Sequence, residues 1–240
     1  MRFAIFSDVH ANLEALEAVL ADAEKQRCTH HVCLGDVVGY NADPHACVRI
    51  VRDLDCPVVK GNHDEQATVV ESLESFNSLA SSALQWTRDH LNNEDKEWLR
   101  EMRMVRQVRD FTIVHATFDT PHRWGYVFNQ LDAAASFSYQ HTAVAFFGHT
   151  HAPRAYIKAD SVLSIPFDVV HVEMGKKYFI NVGSVGQPRD GDWRAAYAVY
   201  DPSRNSIELR RVDYDIQTTQ RKILEAGLPE RLADRLALGR

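Results

Sequence analysis

Five short polar segments, each closing an apolar strand-forming run, constrain this chain more than anything else in it: Asp8-Val9-His10, Gly35-Asp36, Gly61-Asn62-His63-Asp64, His115 and Gly148-His149-Thr150-His151. Short β-rich runs that alternate with helical stretches are the signature of an α/β sheet. Strand ends in such sheets are where ligands collect, because the loops there carry polar groups over a rigid frame. The glycines before Asp36, Asn62 and His149 suit tight turns in which the backbone comes close to a ligand.

The alternation is explicit in the first half. Residues 2–6 read as a strand, and 13–23 as a helix with Leu13, Leu16, Val19 and Leu20 at helical spacing behind an Asn12 cap. A second strand follows at 31–34, a helix at 44–54 and a short third strand at 57–59. A long, mostly polar helical stretch is predicted over 65–90, either a cap over the strand ends or a surface helix, and another over 94–104, with Trp86 and Trp98 packing into the core. Strands are then expected at 111–114, 143–147, 155–158, 169–173, 178–182, 196–200 and 207–212, joined as a meander into a second sheet. The tail over 216–238 reads as closing helices broken at Gly227 and Pro229. No repeat, low-complexity tract or linker divides the chain, so one domain over 1–240 is expected.

Composition narrows the function classes. Apolar residues make up 45% of the chain, enough for a sizeable core. The net charge of −6 argues against non-specific capture of nucleic-acid backbones, while leaving room for a local basic pocket. No apolar run approaches the roughly 18 residues of a spanning helix, and the start runs straight into a strand. A cytoplasmic protein with no membrane partner is therefore expected. Cys28, Cys33, Cys47 and Cys56 have no CxxC spacing and read as free thiols.

Asp, Asn and His offer oxygen and imidazole nitrogen, a donor set that suits Mn²⁺, Fe or Zn²⁺ over Ca²⁺. At i, i+2 spacing in an extended segment, Asp8 and His10 point to one face, as do His149 and His151. Two such pairs sharing a carboxylate could hold two cations roughly 3.5–4 Å apart. Taken singly, each residue has a plainer reading: Asp8, Asp36 and Asn62 as turn or cap residues, His115 as a core histidine. His30, His31, His45, His90, His141 and His171 match no motif and read as surface or packing residues; His122, in the loop after His115, is the candidate exception.

Together, in this order, the segments resemble the calcineurin-like metallophosphoesterase family: DxH, GD, GNH[D/E], a later lone His and GHxH. The matching motifs run from residue 8 to residue 151. The start SDVHANLEAL and the late NVGSVGQPRDG look most like the family's compact bacterial branch, often labelled phosphodiesterase or diadenosine tetraphosphatase-like. The resemblance implies a four-layer αββα sandwich and two divalent ions, Mn or Fe and less readily Zn. One would be held by Asp8, His10 and His151, the other by Asn62, His115 and His149, with Asp36 between them. It implies His63 as a proton donor or phosphate contact, oriented by Asp64. The implied reaction is hydrolysis of a phosphodiester or phosphoanhydride. A protein phosphatase, a phosphomonoesterase and a catalytically silent scaffold of the same fold are the alternatives. Arg189, in a glycine-rich segment after a strand, is a candidate contact to a substrate phosphate, although a plain turn would use the same glycines. Arg123, Trp124 and Tyr126 could grip and stack on a nucleotide, and Asn41 could line the rim; an ordinary surface loop would carry the same residues.

Overall fold

The computed structural model describes residues 1–69, 73 and 77–240. Among these, two β-sheets lie face to face with helices on their outer sides, the α/β sandwich that was expected. The first sheet has the order β2 (His30–Cys33), β1 (Phe3–Phe6), β10 (Ala195–Asp201), β11 (Ser206–Val212), β8 (Val169–His171). The second runs β3 (Val105–Val108), β4 (Phe111–Val114), β5 (Val144–Phe147), β9 (Lys177–Asn181), β6 (Arg154–Lys158), β7 (Val162–Ile165). Strands β1 and β2 are parallel, and so are β4, β5 and β9.

The two-residue period of each strand divides the core into layers. Phe3 and Ile5 of β1 face Phe111, Ile113 and Phe146 of the second sheet in the inter-sheet core. Ala4 and Phe6 point the other way, onto Leu16 and Val19 of α1 (Leu13–Lys25). Ala145 and Phe147 of β5 face outward onto Ala133 and Phe137 of α6 (Gln130–Tyr139). The Phe111 ring meets Phe146 and Tyr200 edge-on, each with centroids 5.5 Å apart. This contact locks the two sheets together beneath the strand ends that carry the polar motifs. Helices α2 (Pro44–Asp53) and α5 (Asn93–Glu101) cover the first sheet with α1. The last two helices, α7 (Ile216–Glu225) and α8 (Glu230–Leu238), pack with Tyr40 and with Ala80 and Ala83 of α4 (Ser78–His90).

Several expectations need correction. Residues 57–59 form no strand of their own: Val58 and Val59 make isolated bridges to Cys33 and Arg103, next to a proline that has no N–H to donate. The helix predicted over 65–90 is not continuous. A short helix, α3 (Asn62–Thr68), ends where the β-branched Val69 turns extended, and α4 starts afresh on Asn77, whose side chain accepts the Ala80 N–H. Positions 70–72 and 74–76 of that stretch lie outside the described residues. The later strands do not form one meander. β8, β10 and β11 join the first sheet, whereas β4, β5 and β9 are parallel and need crossovers, which is why α6 lies between β4 and β5. The edge strands β3 and β7 and helix α6 were not anticipated. Gln-Leu-Asp-Ala-Ala-Ala-Ser gives α6 little periodic contrast to read.

Candidate active site

The loops after β1, β2, β4 and β5, all at the carboxyl ends of parallel strands, converge and bring the motif residues together. Asp8 (φ 54°), His10 (φ 48°), Asp36 (φ 50°), His149 (φ 67°) and His151 (φ 58°) are left-handed, so the expected extended i, i+2 pairs are not how these side chains share a face. Backbone of this kind in non-glycine residues costs of order 1–3 kcal/mol each and persists only where its surroundings enforce it. Here they do: the N–H groups of Asp8, His10 and Ala11 donate to the carbonyls of Gly35, Asp36 and Val37, zipping the first two loops together. Gly148 is a glycine because a Cβ there would collide with Ser7 Oγ and the Asp8 carboxylate. Its close approach is to the neighbouring loop, not to a ligand as expected.

Seven candidate donors result. Asp8, His10, Asp36 and His151 form one buried group whose donor atoms lie within 4.8 Å of one another, and Asp36, His115 and His149 form a second within the same limit. Asp36 belongs to both. Its Oδ2 lies 3.5 Å from His10 Nε2 and 3.3 Å from His115 Nε2, while Oδ1 accepts the His63 backbone N–H at 2.8 Å. Asn62 lines a cavity that His63 and His149 also line, and its Oδ1 is buried with no hydrogen-bond partner among the described residues.

The imidazoles show what the cluster is built to hold. His10 Nδ1 lies 3.0 Å from the Val38 carbonyl, His115 Nδ1 2.8 Å from that of Leu34, and His151 Nδ1 2.6 Å from that of Gln187. His149 Nε2 lies 2.9 Å from the carbonyl of Trp124. A carbonyl only accepts, so each of these nitrogens carries the proton, and in a neutral ring the inward nitrogen is a bare lone pair. Those lone pairs face each other: His10 Nε2 and His151 Nε2 are 3.1 Å apart, and His115 Nε2 and His149 Nδ1 are 3.2 Å apart. Each pair is repulsive unless a cation or proton sits between. The residues therefore fit metal ions.

Titration agrees in sign. Burial pulls His149 down to about 3, helped by the charge of His115, and pulls His10 well below the usual imidazole range. Burial also opposes protonation of His115, but the Asp36 and Asp8 carboxylates overcome it and push that ring up to about 9. In the metal-free chain, a proton on His115 takes up part of the charge deficit. Both carboxylates are held below their ordinary value against burial, Asp8 chiefly by His151 and Asp36 chiefly by His115.

His63, in the first turn of α3, stands beside the cluster with its ring 4.8 Å from that of His10 and 4.5 Å from that of Tyr40. Burial and the Arg189 charge, working against Asp36, pull it down to about 4. The resting ring is therefore neutral and not the imidazolium expected of a proton donor. Asp64, expected to orient His63, instead accepts the backbone N–H groups of Asp36 (2.8 Å), Val37 (2.8 Å), Val38 (3.3 Å) and Gly61 (3.0 Å), tying two motif loops together. Asn41 is also corrected: it is buried, it does not line the cavity, and its Nδ2 donates to the His10 carbonyl at 2.7 Å. Its length and polarity suit a strut under the His10 loop.

A cavity of about 350 Å³ opens on the cluster, lined by Tyr40, His63, Arg123, Trp124, Tyr126 and His149 among others. The Arg189 guanidinium lies 5.5 Å above the Tyr40 ring; a terminal nitrogen donates to Gln187 Oε1 at 2.9 Å, while Nε is buried without an acceptor among the described residues. Trp124 has a second tie besides its carbonyl: its indole N–H donates to Glu65 at 3.0 Å. His122 is exposed in the turn before it. The glycine-rich segment after β9 braces the ligand loops. Asn181 Nδ2 donates to the Gly148 carbonyl at 2.6 Å, and Ser184 Oγ donates to the Asp8 carbonyl at 2.9 Å. Sequence reasoning missed the four carbonyl anchors, because a backbone oxygen has no residue signature.

Residues 1–205 match the calcineurin-like phosphoesterase superfamily domain. The chain is 38% identical over 242 residues to an uncharacterized protein from Methanocaldococcus jannaschii, a match spanning 99% of this chain and 98% of that one. Its fold superposes on a metallophosphoesterase from Sphaerobacter thermophilus with a TM-score of 0.89 and 42% identity, covering 100% of this chain and 99% of the other. A hypothetical protein from Pyrococcus horikoshii OT3 gives a TM-score of 0.84 at 17% identity, covering 100% and 98%, a likeness of fold alone. Fold and site together define a metal-dependent phosphoesterase. The chain belongs to the calcineurin-like phosphoesterase superfamily.

Proposed function

We propose that this enzyme hydrolyses a phosphodiester or phosphoanhydride bond in a nucleotide-bearing substrate, using two divalent ions. Asp8, His10, Asp36 and His151 would hold one ion, and Asp36, Asn62, His115 and His149 the other; Mn or Fe suits this donor set, with Zn close behind. The observation that carries the reading is Asp36 Oδ2, set between a histidine of each group at 3.5 and 3.3 Å. Such a pair of ions, when bound, polarises phosphoryl oxygens and supplies an activated water near neutral pH.

The chain's own residues do the rest. The four carbonyl-anchored imidazoles present fixed lone pairs, so the site needs no reorganisation as charge develops. Arg189 would bind a non-bridging oxygen, and Arg123 would meet the substrate at the cavity mouth. An anionic phosphate beside His63 raises that ring's proton affinity, which restores the proton it needs to protonate the departing oxygen. The nucleotide reading rests on an aromatic ladder. Tyr126 stacks on His149 with centroids 4.2 Å apart and on Phe128 at 5.3 Å, and both outer rings are at least half exposed. Rings left open to solvent beside a phosphate site suit a nucleobase. The four cysteines are unpaired and no helix among the described residues is long and apolar enough to cross a membrane, which supports a cytoplasmic enzyme.

The test is hydrolysis by metal-stripped protein reconstituted with Mn²⁺, using an aryl phosphodiester, an aryl phosphomonoester and diadenosine tetraphosphate. The expected order places the dinucleotide and the diester above the monoester. Preference for the monoester would turn the reading to a phosphomonoesterase or protein phosphatase, and no turnover with two ions bound would turn it to a scaffold.

A further inference from the structure

A second cavity, about 510 Å³, lies beside the first, and Asn77 lines both. Its other walls come from the start of α4, from α8 with Arg231 and Arg235, and from Arg240 just after that helix, with Asp234 as the acidic residue lining it. Among the described residues, none of these arginines, nor Arg189, pairs with an aspartate or glutamate side chain. Arg235 Nε donates to the Arg240 main-chain oxygen, which leaves its terminal nitrogens for other acceptors.

Clustered guanidinium groups repel one another, and packing holds this set together. Leu232, Ala233 and Leu236 of α8 are buried with Tyr40, Ala80 and Ala83. Arg231 stands in the first turn of α8, where the helix dipole disfavours a cation. The positive field also connects with the metal cluster. Burial and the charges of Arg189 and Arg231 pull the Arg235 guanidinium below its usual range, and Arg189 in turn stacks on Tyr40, whose ring is 4.5 Å from that of His63. Clustered guanidiniums recognise phosphate by paired hydrogen bonds. Arg231 and Arg235 of α8, and Arg240 after it, lie beyond residue 205, outside the segment matched by the family domain.

We propose that Arg231, Arg235 and Arg240 form a subsite for a second phosphate group of the substrate, so that the enzyme selects molecules bearing one phosphate at the bond it cleaves and another a short span away. This rests on the reading of the first cavity as the phosphoester site, and it assigns the C-terminal helix α8 to substrate selection.

The experiment is equilibrium binding, which needs no turnover. Bisphosphates of α,ω-alkanediols with two to eight carbons, and the alkyl monophosphates of equal length, are titrated calorimetrically into Mn²⁺-loaded protein. At one or more lengths the bisphosphate should bind at least tenfold tighter, and Arg231→Gln/Arg235→Gln should close that gap. Arg231→Glu, at an exposed position where the helix dipole favours an acid, should narrow it too, and serves if the double variant does not fold. Equal affinities at every length, or a gap that both variants leave intact, would overturn the subsite. A gap that closes in the variants, in a protein that hydrolyses no ester, would sink the catalytic reading and keep the subsite.

Discussion

Lone pairs held nose to nose by backbone carbonyls make the divalent-ion reading testable one residue at a time. Replacing Asp36 by Asn removes the carboxylate shared by both donor groups. Bound Mn²⁺ should fall from two per chain to one or fewer by elemental analysis, with activity down by at least about 100-fold, as for loss of groups that hold a metal in place. Retention of two ions would show that Asp36 does not bridge. His63→Ala should behave oppositely, with turnover reduced about 10²–10⁴-fold, the range for a proton-transfer group, and both ions kept. Gly39 extends that argument. It has φ +95°, and a Cβ there would press on His63 Nδ1, so Gly39→Ala should displace the ring and lower kcat about 100-fold with metal content intact. The candidate donors that the fold gathers were legible in the sequence because imidazole and carboxylate have few reasons to recur at strand ends in this order. Asp64 and Asn41 were misread because a side chain that caps a backbone loop and one that faces a ligand look alike until the loop is seen.

Among the elements, α1 is fastened to the first sheet through Asp22. Its carboxylate accepts the Tyr197 hydroxyl of β10 at 2.7 Å and the Arg210 guanidinium of β11 at 3.3 Å. Burial works to raise the Asp22 pKa, but the hydrogen bonds from Arg210 and Tyr197 outweigh it and hold the carboxyl below its ordinary value. A depressed carboxyl contributes stability that is fully present above the unfolded pKa, about 3.9, and is lost as pH falls through the folded value. Asp22→Asn should therefore lower stability by about 1 kcal/mol at pH 7 after solvent screening, measured by urea unfolding, and the difference should vanish near pH 2. A deficit that persists in acid would mean that packing, not charge, joins α1 to the sheet. Strands flanked by burial on both faces, such as β1 and β5, stood out as apolar runs, and α1 declared itself by its leucine spacing and Asn12 cap. Edge strands β3 and β7 did not, since half their residues face water, and small-residue helix α6 lacked a stripe. Sheet membership was not readable either. Which of two sheets receives β8, β10 and β11 is decided by inter-sheet packing at long range, as with Tyr200 against Phe111.

For the molecule as a whole, the metal site and the folding unit are one question. Its donors come from the loops after β1 and β2 in one sheet and after β4 and β5 in the other, so bound ions would tie the two sheets together at those strand ends. We propose that the chain folds as one domain, with α7 and α8 included through their shared core with Tyr40 and α4. An ion present at 100 times its dissociation constant stabilises the native state by about 2.7 kcal/mol, and a chain of this size shifts its midpoint about 2–4 °C per kcal/mol. Chelation should then lower Tm by about 5–10 °C per tightly bound ion. Because both sheets and the C-terminal helices share packed interfaces, the transition should move without splitting, with calorimetric and van't Hoff enthalpies equal before and after metal removal. A separate low-temperature transition in the metal-free protein would identify a segment, α7 and α8 first, that folds independently of the sandwich. An unchanged Tm on chelation would mean that the donor loops hold their left-handed backbone without any ion, and that their strain is balanced by the interloop hydrogen bonds alone.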